Sequence, residues 1–267
     1  MNAASATAVP VLEVEGLGEA YRMKSRRGWR RRHDEVWAVR DLTFDVASGE
    51  MLGVIGANGS GKSTLLLCLA GVIRPSEGRL RVAGRVASLI DLTAGLHREL
   101  TGRENILVSG VLSGLSRREV RARLPEIVAF SGLDPDVLDS PLRTYSQGMG
   151  LRLAFAVVAH SDPVLLLIDE VLAVGDEEFQ AACLRRVDEL RVCGTAVVLV
   201  SHELDLVVAR CDRVAVLEDG ELVYLGDPKT AVARYRAMHA GNPSRSVPAP
   251  RGLYGATAGR GRNRRRA

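Results

Sequence analysis

The feature that most constrains this chain is a glycine-rich segment placed between an apolar strand and an apolar helix. Residues 56–63 read Gly-Ala-Asn-Gly-Ser-Gly-Lys-Ser and fit the pattern G-x-x-x-x-G-K-[ST] in full. Residues 51–55 predict a buried strand, and residues 63–71 predict a helix. The glycines let successive backbone N–H groups turn inward around a phosphate, and the positive helix N-terminus adds to the attraction. The sequence therefore predicts a nucleotide phosphate site on an α/β fold.

The positions of this loop have separate predicted roles. Lys62 is expected to reach the β- and γ-phosphates of the nucleotide, and it counts as a catalytic as well as a binding residue. Ser63 is expected to offer its hydroxyl to Mg²⁺, with support from Thr64. The nucleotide-binding residues predicted for the loop are Gly56, Ala57, Asn58, Gly59, Ser60, Gly61, Lys62, Ser63 and Thr64.

Two acids follow another apolar strand. Residues 163–168 predict a strand covered on both faces, and Asp169 and Glu170 come directly after it. Ligands gather at the carboxyl ends of parallel strands, so Asp169 is expected to hold Mg²⁺ and Glu170 to polarise the attacking water. Taken alone, two acids after a strand are more often a solvated strand end. The phosphate loop upstream makes the catalytic interpretation the stronger one.

His202 is the third predicted catalytic residue. It follows the apolar strand predicted at residues 196–200, and that strand ends at the same edge of the sheet. A lone histidine is more often structural than catalytic, but this position places an imidazole near the γ-phosphate.

The remaining sequence alternates apolar strands with helices, which predicts a largely parallel sheet. Residues 101–160 have helical periodicity, while the charged stretch 22–35 is interpreted as an exposed loop. Both ends of the chain, residues 1–10 and 241–267, are predicted to be disordered. Strands are predicted at 11–16, 37–46, 213–217 and twice within 79–92, and helices at 178–192 and 203–211.

Composition excludes several classes of protein. Apolar residues make up 46% and charged residues 25%, which are ordinary values for a chain that can bury a core. No apolar run approaches the roughly 18 residues needed to cross a bilayer, and residues 1–10 do not resemble a signal peptide. The four cysteines are widely spaced and form no C-x-x-C pair. This spacing argues against a zinc or redox site and for reduced thiols, some of them packed in the core.

Charge is distributed unevenly along the chain. The net charge is +4, from 36 Lys and Arg against 32 Asp and Glu, but 14 of the basic residues lie in two acid-free runs at 22–33 and 241–267. The rest of the chain has a net charge of about −10. This distribution argues against a uniformly basic nucleic-acid binder. It leaves three interpretations of the runs: contact with anionic lipid, contact with an anionic polymer, or solvated arginine without a partner.

Over residues 11–236 these segments resemble an ABC-type ATPase. Residues 145–149, Tyr-Ser-Gln-Gly-Met, resemble the family's signature sequence, residues 173–176 its D-loop, and His202 its switch histidine. The resemblance implies a P-loop NTPase with a RecA-like core, an antiparallel β subdomain and a helical signature subdomain. The implied domain spans 11–240, with a basic insertion at 22–36 and the helical subdomain at about 96–162.

The same resemblance implies further nucleotide contacts. Tyr21 takes the place of the aromatic residue that stacks on adenine, and Trp37 is a weaker candidate. In the family the signature residues contact the nucleotide of a second subunit, which implies an ATP-dependent head-to-tail homodimer. The additional implied nucleotide-binding residues are Ser146, Gln147, Gly148 and Asp176.

One departure from the family pattern points to a subgroup. Residues 88–97 lack the glutamine that usually touches Mg²⁺ and the attacking water, and Asp91 stands about where it would be. With the signature sequence and the segments 100–106 and 168–176, this resembles the ATPase subunits of polysaccharide and teichoic-acid exporters. The resemblance implies a peripheral location at the cytoplasmic face of the cell membrane and a polytopic permease partner. Residues 95–110 are the expected docking surface for that partner.

Three other kinds of ABC protein remain as alternatives. A soluble ATPase acting on ribosomes or DNA is disfavoured because the chain has one phosphate loop and neither a zinc module nor a long coiled coil. An importer or small-molecule exporter normally keeps the glutamine that is missing here. A non-hydrolysing regulatory cassette is disfavoured by Glu170 and His202.

Overall fold

The structure, a computed structural model, describes residues 10–25, 32–90, 95–169 and 176–240. Asp91, Glu170, residues 173–175, the predicted disordered segment 241–267 and residues 1–9 lie outside these ranges. The segment 1–10 was predicted to be disordered, but its last residue, Pro10, begins the first strand because it pairs with Ala47. The strands are β1 (Pro10–Ser25), β2 (Arg32–Ala47), β3 (Met51–Gly56), β4 (Glu77–Val82), β5 (Val86–Ser88), β6 (Leu165–Asp169), β7 (Ala196–Val200), β8 (Arg213–Glu218) and β9 (Glu221–Gly226). The helices are α1 (Lys62–Leu69), α2 (Gly102–Leu112), α3 (Arg117–Ser131), α4 (Pro135–Leu138), α5 (Gln147–Ala159), α6 (Glu177–Val192), α7 (Leu204–Arg210) and α8 (Pro228–His239), with one 3₁₀ turn at Leu142–Thr144.

The central sheet has six strands in the order β5-β6-β7-β3-β8-β9. All neighbours pair in parallel except β8 and β9, which form an antiparallel hairpin at the edge. The predicted α/β fold with a largely parallel sheet is confirmed. Because the parallel strands run in one direction, β3, β6 and β7 all end at the same edge of the sheet.

Both faces of this sheet are covered, which explains the continuous apolar runs in its strands. Alternate residues of each strand enter two different cores. In β3, Met51 and Ile55 pack with helices α5 to α8, whereas Leu52 and Val54 pack with α1 and the antiparallel strands. The same alternation in β6, β7 and β8 holds the sheet between two apolar layers.

A second sheet, in the order β2-β1-β4, is antiparallel and covers one side of the core. The predicted inward residues of β2, namely Val39, Leu42, Phe44 and Val46, are all buried. The prediction of an exposed loop over residues 22–35 was wrong at both ends of that stretch. Residues 22–25 pair with residues 32–35 as a continuation of the β1–β2 hairpin. Antiparallel pairing satisfies backbone N–H and C=O groups whatever the side chains, so a basic composition does not prevent it.

The helical segment forms a separate layer from α2 to α5 with its own apolar core, which includes Ile106, Ile127 and Leu153. Two capping boxes start its helices. Thr101 and Glu104 begin α2, and Ser116 and Glu119 begin α3. Among the described residues, no helix is long and apolar enough to cross a membrane.

Two elements near the end of the described chain were not predicted from the sequence. Strand β9 is a half-exposed edge strand, so it lacks the continuous apolar pattern of its neighbours. Helix α8 begins with Asp227 as its N-cap and Pro228 in its first turn, a start signal that the sequence did contain.

We expect one of the four thiols to react readily in the folded protein. Burial raises the pKa of the Cys183 and Cys211 thiols to about 12 and that of Cys68 to about 11, whereas Cys193 is exposed. The thiolate is the reactive form, so the buried thiols are protected by protonation as well as by access. A colorimetric thiol assay at pH 8 should titrate one thiol in the native protein and four in denaturant. Rapid native labelling in a Cys193→Ser variant would contradict this packing.

Candidate functional site

The phosphate loop follows β3 in a space that only glycine fits at two positions. A side chain at Gly56 would overlap the carbonyl oxygen of Leu217 and the hydroxyl of Ser60. Gly61, the residue before α1, has a φ of 100°, and a side chain there would overlap the Ala38 carbonyl oxygen. The loop is therefore packed tightly against β8 and β2, which fixes the start of α1.

Lys62 lies inside this loop. Its side chain is buried, and its ammonium group donates to the carbonyl oxygens of Gly56 at 2.8 Å and Ala57 at 3.0 Å. Ser63 is exposed in the first turn of α1. Within the described chain, no side chain caps the start of α1 and no acid lies in its first turn. A cationic group beside a helix N-terminus is an arrangement that attracts phosphate.

The strands beside the loop bring the predicted catalytic residues to the same edge. Asp169, at the end of β6, pairs with Val200 of β7, and Val200 pairs in turn with Val54 of β3. His202 lies two residues beyond Val200 and is exposed. Since neighbouring strands are about 4.8 Å apart, Asp169 lies about 10 Å across the sheet from β3.

Tyr21 and Trp37 lie on adjacent rungs of the β1–β2 hairpin. Tyr21 pairs with Val36 and Trp37 with Ala20, so the two rings project to opposite faces and only one can stack on a base. The Trp37 ring lies 5.5 Å from the Arg40 guanidinium carbon and packs over Gly18. The adenine contact of Tyr21 stays a prediction.

The signature residues lie in the helical layer, at the start of α5. Ser146 is the N-cap of α5, and its hydroxyl accepts a hydrogen bond from the Met149 N–H at 3.2 Å. Ser146 and Gln147 are exposed, and a Cβ at Gly148 would meet little besides the Ser146 hydroxyl. The helix N-terminus is therefore open to a ligand that arrives from outside this chain.

The Tyr145 phenol anchors the turn before the signature residues. It donates to the Val137 carbonyl oxygen at 2.7 Å. Burial, assisted by the Asp139 carboxylate, raises the pKa of Tyr145, so the phenol keeps the proton that this hydrogen bond needs.

Asp176 has two structural contacts besides its predicted nucleotide role. One carboxylate oxygen accepts from the Phe179 N–H at 3.0 Å and caps α6, and the other pairs with Arg152 of α5 at 2.6 Å. The Arg152 guanidinium also lies 4.7 Å from the centre of the Phe179 ring. Arg152 thus joins the signature helix to the start of α6. No motif in the sequence distinguishes Arg152 from the many other arginines.

The structure thus brings the phosphate loop, Asp169 and His202 to one edge and places Ser146 to Gly148 on a different layer. Glu170, the predicted base, and Asp91, a candidate Mg²⁺ contact in addition to Ser63 and Asp169, lie outside the described residues. In the described ranges, no group of three or more His, Cys, Asp or Glu could hold a metal ion. A site for Mg²⁺ here would instead combine one hydroxyl and one carboxylate with phosphate oxygens, which are the hard ligands that this ion prefers.

Comparison with known sequences agrees with this arrangement. The family model described as ABC transporter matches residues 39–173. The O-antigen export system ATP-binding protein RfbB of Myxococcus xanthus is 46% identical over 212 residues, 79% of this chain but 48% of that protein. The protein of the same name in Klebsiella pneumoniae is 44% identical over 76% of this chain and 82% of its own length. The teichoic acids export ATP-binding protein TagH of Listeria innocua is 39% identical over 74% of this chain and 59% of its own.

Solved structures give the same fold. A solved ATP-binding subunit of an ABC transporter matches with a TM-score of 0.70 and 26% sequence identity, and the match covers 88% of this chain and 95% of that chain. A dimeric ATP-binding cassette bound to ADP and Pi has a TM-score of 0.67 over 81% of this chain and 98% of its own, and at 20% identity it supports the fold alone. The family model matches half of this chain, and this chain spans most of the Klebsiella relative; the chain therefore belongs to the ABC transporter family.

Proposed function

We propose that this chain is the ATP-hydrolysing subunit of an ABC transporter that exports a cell-surface polysaccharide across the cytoplasmic membrane. The observation that carries the proposal is the phosphate loop at the sheet edge where Asp169 and His202 also lie, in a chain 38–46% identical to ATP-binding proteins of O-antigen and teichoic acid export. The geometry supports ATP hydrolysis, and the relatives support the substrate class. The chain spans about half of the Myxococcus relative, so the assignment concerns the part that the two share.

ATP would bind with its phosphates over residues 56–64. Lys62 and the N-terminus of α1 attract the β- and γ-phosphates, and Tyr21 stacks on the adenine. Ser63 and Asp169 would hold Mg²⁺ together with the phosphate oxygens. When bound, this ion neutralises negative charge on the phosphates.

Hydrolysis requires a water molecule in line with the γ-phosphate. Glu170 follows directly after Asp169 in the sequence, and its carboxylate is the proposed acceptor of a proton from that water. His202 lies at the end of the neighbouring strand and orients the γ-phosphate. Asp91 is a further candidate for contact with the metal ion.

A second copy of the chain would complete each site. Ser146 and Gln147 are exposed at the N-terminus of α5, and together with Gly148 they form a phosphate-binding end that belongs to another layer than the loop. A head-to-tail homodimer would place this end against the partner's nucleotide. ATP then supplies interface contacts that closure requires, and loss of the γ-phosphate removes them.

A polytopic permease subunit would receive this movement at the cytoplasmic face of the membrane. Residues 95–110 are the proposed docking surface. Next to it, α2 ends in two exposed apolar residues, Val111 and Leu112, of the kind that protein contacts bury. The basic insertion at 22–36 and the basic run at 241–267 are proposed to contact anionic lipid at the cytoplasmic face of the membrane.

Lys62→Met should weaken ATP binding about 10- to 100-fold, because a buried charge-assisted contact to phosphate is lost while the length of the side chain is kept. A fluorescent ATP analogue titrated at constant ionic strength measures the affinity. Lys229→Met, a change of the same type at the start of α8, is the control. Equal affinities in the two variants would contradict the proposed role of Lys62.

Glu170→Gln should keep ATP binding and lower turnover by about 10² to 10⁴, the usual contribution of a positioned base. Phosphate release and nucleotide affinity are measured on the same preparation, with Glu178→Gln as the control on the first turn of α6. A Glu170→Gln enzyme that turns over at the parent rate would remove Glu170 from the mechanism.

Deletion of the gene should abolish surface polysaccharide and leave polymer inside the cells, because synthesis does not require this ATPase. The intact gene should restore export, whereas the Glu170→Gln form should not. Labelling of surface glycan is compared with total extracted glycan. Unchanged surface glycan in the deletion strain would reject the substrate class but not the ATPase activity.

A further inference from the structure

A single buried side chain organises the loop that joins the core to the helical layer. Asn105 of α2 is fully buried. Its amide oxygen accepts from the His97 N–H at 2.6 Å, and its amide nitrogen lies 2.9 to 3.1 Å from the carbonyl oxygens of His97, Leu100 and Thr101. An asparagine amide has two N–H donors, so three carbonyls share them. All four of these contacts of the Asn105 side chain are made with residues 97–101, which we call the join loop.

The join loop is in turn paired with the segment that precedes the signature residues. The Leu142 N–H donates to the Leu100 carbonyl at 2.9 Å, and the Arg143 N–H donates to the Arg98 carbonyl at 2.9 Å. Thr101 forms an isolated antiparallel bridge with Pro141. On the surface, the Arg143 guanidinium pairs with the Glu99 carboxylate at 2.7 Å. The Leu100 carbonyl thus accepts from both Asn105 and Leu142.

The paired segment leads directly to Ser146. Residues 142–144 form a 3₁₀ turn, and the Tyr145 N–H donates back to the Leu142 carbonyl at 3.0 Å. The close fit of the Tyr145 phenol against Gly102, the first residue of α2, ties the end of this turn to the same helix that carries Asn105. A change in the shape of the join loop is therefore passed through hydrogen-bonded backbone to the N-cap of α5.

We propose that Asn105 is a positioning residue for Ser146, because it holds the join loop in the shape that sets the turn at 141–145. The inference rests on the proposed function, in which Ser146 contacts the nucleotide held by a second copy of the chain. Asn105 touches no nucleotide. It acts on the contact made across the dimer interface and not on ATP binding by residues 56–64.

The test separates these two events. In the Glu170→Gln form, dimer formation is followed by light scattering as ATP is raised, and nucleotide binding by the monomer is measured with a fluorescent ATP analogue. Asn105→Ala and Asn105→Asp should raise the ATP concentration for half-dimerisation about tenfold or more, because buried carbonyls lose their donors. Monomer affinity should change less than about twofold. Ser131→Ala is the matched control, since Ser131 is equally buried in the helical layer but bonds to Val128 and Leu133.

Charge exchange at the surface ion pair between Glu99 and Arg143 tests the link between the join loop and the turn without a change in the buried core. Glu99→Arg and Arg143→Glu should each raise the half-dimerisation concentration about threefold, as expected for an exposed ion pair replaced by like charges. The double exchange should restore the parent value, which a general loss of stability would not do.

Three outcomes are distinguishable. If Glu170→Gln itself stays monomeric with ATP, the proposed function fails and this inference fails with it. If that form dimerises and folded Asn105 variants follow the same curve, or lose monomer affinity to the same extent, only the inference is overturned. Failure of the double exchange to restore dimerisation would likewise reject the link between the join loop and the turn.

Discussion

The parallel pairing of β3 with β7 on one side and β8 on the other is the interaction on which the site depends. It places the phosphate loop beside the strand that leads to His202, and one strand away from Asp169. The strands are buried on both faces, so a slip of one residue would turn every apolar side chain into the opposite core. The register is fixed for reasons of packing, and the alignment of the proposed catalytic groups follows from it.

The helical layer is organised differently. Its apolar core is separate from the two cores that cover the sheet, and capping boxes define the starts of α2 and α3. Helix α5 contributes to this core and also to the core on one face of the sheet, so it links Ser146 at its start to both layers. The buried amide of Asn105 replaces regular secondary structure in the join loop, where backbone groups would otherwise lack partners.

Agreement between sequence and structure is best where one local rule decides the outcome. The strand, glycine loop and helix at residues 51–71 follow from the pattern, and so do the buried strands β6, β7 and β8. The sequence predictions fail where pairing between distant segments determines the secondary structure. The hairpin at 22–25 and 32–35 is held by backbone pairing that composition does not reveal. The edge strand β9 has a mixed pattern because one of its sides is exposed.

The candidate site also combines residues that local sequence patterns predict with residues that only tertiary packing reveals. Lys62, Ser63, Asp169 and His202 could be predicted as site residues because each lies at a fixed offset from a buried strand or from the glycine loop. Arg152 and Asn105 could not be identified, because their partners, Asp176 and the carbonyls of the join loop, come close only after the helices pack.

The sequence by itself determined the chemistry of this protein, since a phosphate loop, an acid after a buried strand and a serine before a helix are local patterns with local physical causes. Only the tertiary structure decided how those parts are connected. Backbone hydrogen bonds join residues 98–101 to residues 141–143, and an ion pair joins Arg152 to Asp176. No sequence pattern in either segment predicts its partner. Such contacts depend on how the helices and strands pack together, which neither hydrophobic periodicity nor a short sequence motif predicts.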